Sequence, residues 1–151
     1  VVFRKLRHAA GLDLIISVLV TAEILAKVYY RGLRDATNST VLGTLCTQIL
    51  RDEVAHVRFQ SQQLGELRRD WRPWRHAVAN MGQRILFAGS LLVVWKNHRP
   101  VLRAGGFGFR RYWRTSWKEF RAALRLMRPD HRSRAIPAAH CARLAIPPTR
   151  R

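Results

Sequence analysis

At 151 residues with 48% hydrophobic side chains, the chain is long enough to bury a core as a single domain, which excludes a wholly disordered protein. Its formal net charge of +19 is unevenly placed: residues 1–70 carry 10 Lys and Arg against 7 Asp and Glu, whereas residues 71–151 carry 18 against 2. An anionic partner, lipid surface or nucleic acid, is therefore expected for the second half, although Arg-rich composition alone would produce the same excess.

Two cysteines, Cys46 and Cys141, form neither a CxxC pair nor a disulfide framework, so the expected setting is a reducing cytoplasm, with membrane-peripheral attachment as its variant. Cys46 sits between Leu45 and Ile49 as a small core residue. The first residues place basic side chains ahead of an apolar run, as a signal peptide does, but Glu23 and Lys27 interrupt that run and no clean small-residue cleavage site follows. No uninterrupted apolar stretch reaches the ~18 residues of a spanning helix, so no transmembrane segment is expected.

From about Asp13 to Ala36, Ile16, Leu19, Glu23, Ala26, Tyr30 and Leu33 recur at spacings of three and four, the period of one helix face. Val20, Ile24 and Val28 widen that face and predict a central helix, with Lys27, Arg31 and Arg34 as its solvent edge. The stretch Asp35 to Thr40 reads as a turn, with Ser39 or Thr40 capping the next helix. That second helix, from about Val41 to Arg69, has the seam Leu42, Leu45, Ile49, Glu53, His56, Gln60, Leu64, Leu67. Glu53 and His56 thus fall on its inward face, where unpartnered polar groups are strongly disfavoured.

Pro73 suits the first turn of a third helix, which runs along Trp74, Val78, Met81, Ile85, Ala88, Leu92 and Trp95 until Asn97 to Pro100 stops it. Gly105, Gly106 and Gly108 mark a connection. A fourth helix, about Phe109 to Met127, carries Trp113, Trp117, Phe120 and Leu124 on one side and Arg110, Arg114, Lys118, Arg121 and Arg125 on another. The predicted fold is all-α: an antiparallel helical hairpin over residues 1–70, a basic-aromatic helix pair over 71–128 packing on or beside it, and a disordered basic tail over 129–151.

The hairpin has a chemical consequence. Counted from the turn near Asn38, Glu23 lies about fifteen residues back and Glu53 about fifteen forward, so at ~1.5 Å per residue both sit roughly 20 Å from the turn. Glu53 and His56 are one helical turn apart on one face. Glu23, Glu53 and His56 are therefore expected at one level, as candidate metal ligands.

This pattern, Glu23 followed by Asp52-Glu53-Val54-Ala55-His56, resembles the second half of a ferritin-like, rubrerythrin-like di-iron carboxylate protein. The flanking phrases Tyr29-Tyr30-Arg31-Gly32-Leu33-Arg34-Asp35 and Ile49 to Phe59 are similar too, so the likeness covers roughly residues 10–70. It implies a hairpin of the ferritin-like four-helix-bundle type. Glu23 would be a carboxylate ligand to one metal, Glu53 would bridge two, and His56 would be a terminal imidazole ligand. Asp52 would hold a ligand histidine of an opposing helix in its tautomer. Tyr30 would be a near-site phenol or an ordinary core aromatic.

The resemblance further implies a dinuclear iron centre, with manganese as alternative, and O2- or peroxide-dependent oxidation or iron handling. The full pattern needs two Glu and two ExxH, whereas this chain contains a single set. Three completions satisfy it: a homodimer about a two-fold axis, a missing N-terminal helix pair, or a degenerate member without metal.

The rival reading is a non-catalytic helical protein whose basic-aromatic fourth helix lies on an anionic membrane surface. No nucleic-acid motif occurs, which makes that partner the weaker one. Nor does the chain offer a Ser-His-acid arrangement, and Gly105 to Gly108 lacks the Lys-Ser/Thr of a phosphate loop.

Overall fold

The structure, a computed structural model, describes residues 11–128. Residues 1–10 and the expected basic tail over 129–151, with Cys141, lie outside the described residues. As expected the fold is all-α, and its described elements are α1 (Leu12–Ala36), α2 (Thr40–Leu67), α3 (Pro73–Ala104) and α4 (Phe109–Leu126). Local chemistry sets their starts. Ser39 caps α2 by accepting a hydrogen bond from the Leu42 backbone N–H at 3.3 Å, and Pro73 opens α3 where a missing N–H is harmless.

Helix α1 is central, as its wide apolar face predicts: it lies against the other three helices, while α2 and α3 barely meet. Helix α2 runs antiparallel to it, since Gln60 meets Glu23 and Arg68 meets Asp13. Helix α3 then follows α1 in the same direction, with Tyr29 against His98 and Gly32 against Gly105. Returning antiparallel to α3, α4 stacks Phe120 on Phe87 at 4.3 Å and sets Tyr112 beside Trp95. Val20, Ile24, Val28, Val57, Leu64, Phe87, Leu91, Tyr112 and Phe120 form one core drawn from all four helices. The buried Tyr112 phenol donates to the Leu91 carbonyl at 3.3 Å, and burial holds its pKa well above the ordinary value. Cys46 is fully buried, the small core residue its setting implies.

Three expectations are corrected. First, α3 does not stop at Asn97 to Pro100 but continues to Ala104. Pro100 forfeits one backbone hydrogen bond, yet tertiary packing extends the helix past it. Leu102 is fully buried against Gly32, and α1 and α3 cross so closely that a Cβ on Gly105 would lie 2.1 Å from the Gly32 carbonyl oxygen. Gly106, at φ +77°, then turns the chain toward α4.

Second, Lys27 is not at a solvent edge. It is buried and donates to Glu119 Oε2 at 2.6 Å, while Arg31 Nη2 donates to Glu119 Oε1 at 3.3 Å. Burial alone would raise the Glu119 pKa, but the hydrogen bond and charge of Lys27, with Arg31, overcome it and hold the carboxyl below its ordinary range. Because the folded pKa lies below the unfolded one, the stability from this group is present above the unfolded value and is lost as pH falls through the folded one. Glu119→Gln is therefore expected to destabilise the protein at neutral pH by about 2–3 kcal/mol, and the deficit should shrink toward about pH 3. Urea unfolding of both proteins at the two pH values measures it.

Third, the inward stripes of α2 and α3 are not the expected ones. On α2 the buried strip is Cys46, Val57, Ser61, Leu64 and Gly65, about one residue on from the predicted seam, which turns Leu45 and His56 outward. On α3 the residues facing the core are Gln83, Phe87, Leu91 and Leu102. Most of the predicted seam of α3 faces solvent: Trp74, Val78, Met81, Ile85 and Leu92 are 49–66% exposed, whereas Ala88 is half-buried and Trp95 packs against the core. Moreover, despite its lack of an unbroken apolar run, α3 is long and apolar enough to cross a membrane by length and composition alone.

Candidate metal centre

Glu23 projects from the edge of α1 that meets α2, and Glu53 and His56 project from successive turns of α2. The antiparallel pairing brings the three to one level. Each offers a ligand atom, and these atoms lie within 4.8 Å of one another. His56 Nδ1 is 3.8 Å from Glu23 Oε1 and 3.9 Å from Glu53 Oε2. Two donors sharing one first-row ion at about 2.1 Å each can be separated by at most about 4.2 Å, a limit that both distances from His56 meet.

The two carboxylates are set into the groove between the helices, with Glu53 13% and Glu23 20% exposed, whereas the imidazole is 57% exposed. His56 is therefore not the core residue its place in the predicted seam suggests. It sits on a rim because α4 packs against the other side of the hairpin, drawing Lys27 and Arg31 to Glu119.

Partnering within the cluster is incomplete. Gln60 Nε2 donates to Glu23 Oε1 at 3.3 Å. Glu53 Oε2, although buried, has no hydrogen-bond partner, and neither has Gln60 Oε1. No Lys or Arg among the described residues pairs with Glu23 or Glu53. A buried carboxylate oxygen without donor or cation is unfavourable, and a cation bound beside it would satisfy it. Two carboxylates and one imidazole form a donor set suited to Fe(II) or Mn(II).

The remaining candidates lie apart from this cluster. Asp52 is exposed and accepts from Gln48 Nε2 at 3.1 Å. Tyr30 makes an edge contact with Tyr29 at 5.5 Å and lines a cleft of about 390 Å³ between α1 and α3. Arg110, Arg114, Lys118 and Arg121 line a second cleft on α4, and Arg125 is exposed farther along. His98 packs against Tyr29, His76 against Trp71, and Glu119 is held by Lys27. Among the described residues, then, α3 and α4 supply no second ligand set.

Sequence reasoning assigned Gln60 to a seam without a role and missed Arg68 altogether. Gln60 stands one turn beyond His56, a position from which it reaches Glu23 across the hairpin. Arg68, one turn beyond Leu64 on the buried strip, is the signal that was available. A charge in register with a core stripe needs a partner.

Protein families, curated proteins and solved structures were all compared with the chain, and none matches.

Proposed function

We propose that Glu23, Glu53 and His56 are one half of a dinuclear iron site, of the kind found in ferritin-like carboxylate proteins, and that a second copy of the chain completes it. The observation that carries this reading is the buried, unpartnered Glu53 oxygen facing an imidazole and a second carboxylate from the neighbouring helix. Three ligands of this kind hold one ion poorly in isolation, and a two-fold axis beside them duplicates the set to two Glu and two ExxH. The cluster's own setting favours such an axis. Leu19, one turn before Glu23, and Leu45, three turns before His56 on the same side of α2, are exposed apolar residues on this face of the hairpin, suited to packing against a copy of themselves.

In this reading Glu23, Glu53 and His56 would hold the metal, and Gln60 orients Glu23 through its amide. Bound iron would supply O2 or peroxide activation, directed to an organic substrate or to iron itself. The chain's part is to hold two carboxylates in a partly dry groove while His56 remains reachable from the open side.

Anaerobic Fe(II) loading followed by metal analysis and analytical ultracentrifugation tests the proposal. The expected result is about one iron per chain on a dimer, with uptake abolished in His56→Ala. A purified dimer that takes up no iron overturns it.

A further inference from the structure

We propose that the outward seam of α3 and the arginine row of α4 together form a docking face for the surface of an anionic membrane. This inference does not depend on the metal site.

Along α3, Trp74, Val78, Met81, Ile85 and Leu92 follow spacings of three, four and seven and all face solvent. A stripe spanning five helical turns is more apolar surface than scattered exposed residues would give. The stripe is joined to the basic face of α4, because Leu92, Phe109, Trp113, Arg110 and Arg114 line one cleft. From Arg110 the charge continues through Arg114, Lys118 and Arg121, which share the next cleft with Arg111.

Nothing acidic neutralises this face. Residues 71–128 contain 13 Lys and Arg and a single acid, Glu119, and that acid is paired with Lys27 and Arg31 of α1. An apolar stripe bordered by arginines, with tryptophans along the border, matches the boundary between anionic headgroups and acyl chains. The charge selects the lipid, since neutral headgroups would leave the arginine row without counter-charge. Because the other side of α3 carries Gln83, Phe87 and Leu91 into the protein core, the helix lies along the surface rather than through it.

Co-sedimentation with phosphatidylcholine vesicles, with and without phosphatidylglycerol, at low and moderate salt tests the assignment. The full chain is expected to bind the anionic vesicles and not the neutral ones, more weakly at moderate salt. Each arginine near such a surface is worth about fivefold in affinity, so Arg110→Glu with Arg114→Glu should weaken binding at least about 25-fold. Ile85→Glu, at a position 66% exposed and so harmless to the core, should weaken it at least about tenfold. Circular dichroism confirms that each variant is folded.

Failure to bind anionic vesicles at low salt overturns the proposal, as does equal binding to neutral ones. Undiminished vesicle binding by Ile85→Glu overturns it too, and if that variant instead loses self-association in ultracentrifugation, the seam is a contact between copies. Tighter binding to single-stranded RNA that survives Ile85→Glu would assign the arginines to nucleic acid and reject the lipid.

Discussion

Glu53→Leu is expected to yield a more stable apo protein that no longer takes up iron. A buried carboxylate oxygen with no partner costs about 1–3 kcal/mol, and Glu53 Oε2 is such an atom. Leucine removes that penalty and extends the apolar contact between α1 and α2, for an expected gain of about 1–2 kcal/mol without metal. Adding metal should reverse the order. At a free concentration about 100 times its dissociation constant, an ion bound by the native state alone adds about 2.7 kcal/mol to the wild type and nothing to the variant. Anaerobic thermal melts of both proteins, with and without Fe(II), read this crossing directly. A Glu53 that merely packed in the hairpin would give neither the apo gain nor the crossing, so an apo variant less stable than wild type would remove the main support for a metal role.

The sequence made some of this site legible and hid the rest for identifiable reasons. Helix spans follow from local periodicity and caps, which is why Ser39, Pro73 and the pairing of α1 with α2 match expectation. The level of Glu23 with Glu53 follows from counting outward from a short turn, and it too is met. Which stripe of a helix faces inward is decided elsewhere. On α2 both the Leu45, His56 side and the Cys46, Val57 side are plausible from residue type, and α4 selects the second by packing on it, with the Met127 carbonyl so close to Gly65 that a Cβ there would lie 2.7 Å away. On α3 the all-round apolar stretch after Ile85 leaves the choice equally open, and Phe120 and Trp117 settle it by packing on Phe87. The pair Lys27 with Glu119 joins residues 92 apart, a contact that no local pattern encodes.

The same long-range logic makes Arg68→Met the change expected to damage the fold most. Arg68 is 3% exposed and ties three helices at one end of the bundle. Its Nε donates to Asp13 Oδ1 at 2.5 Å and its Nη2 to Asp13 Oδ2 at 3.2 Å, a two-pronged grip on the first turn of α1. The same Nη2 reaches Ser17 Oγ at 2.9 Å, and Nη1 reaches Gln83 Oε1 on α3 at 3.3 Å. Methionine preserves much of the stem but strands Asp13, Ser17 and Gln83 together, and removing one member of a buried ionic network costs about 3–5 kcal/mol. Because Asp13 is 26% exposed and water can reach it, the lower end of that range is expected. Pairing the change with Asp13→Leu should recover a large part of the loss, since two apolar groups replace an orphaned charge. Urea denaturation of the two single variants and the double variant measures both quantities. The Glu23, Glu53 and His56 cluster lies about three to four turns up the hairpin from this clamp, so on the proposed reading the folded fraction of Arg68→Met should still load iron, which separates a failure of the fold from a failure of the site.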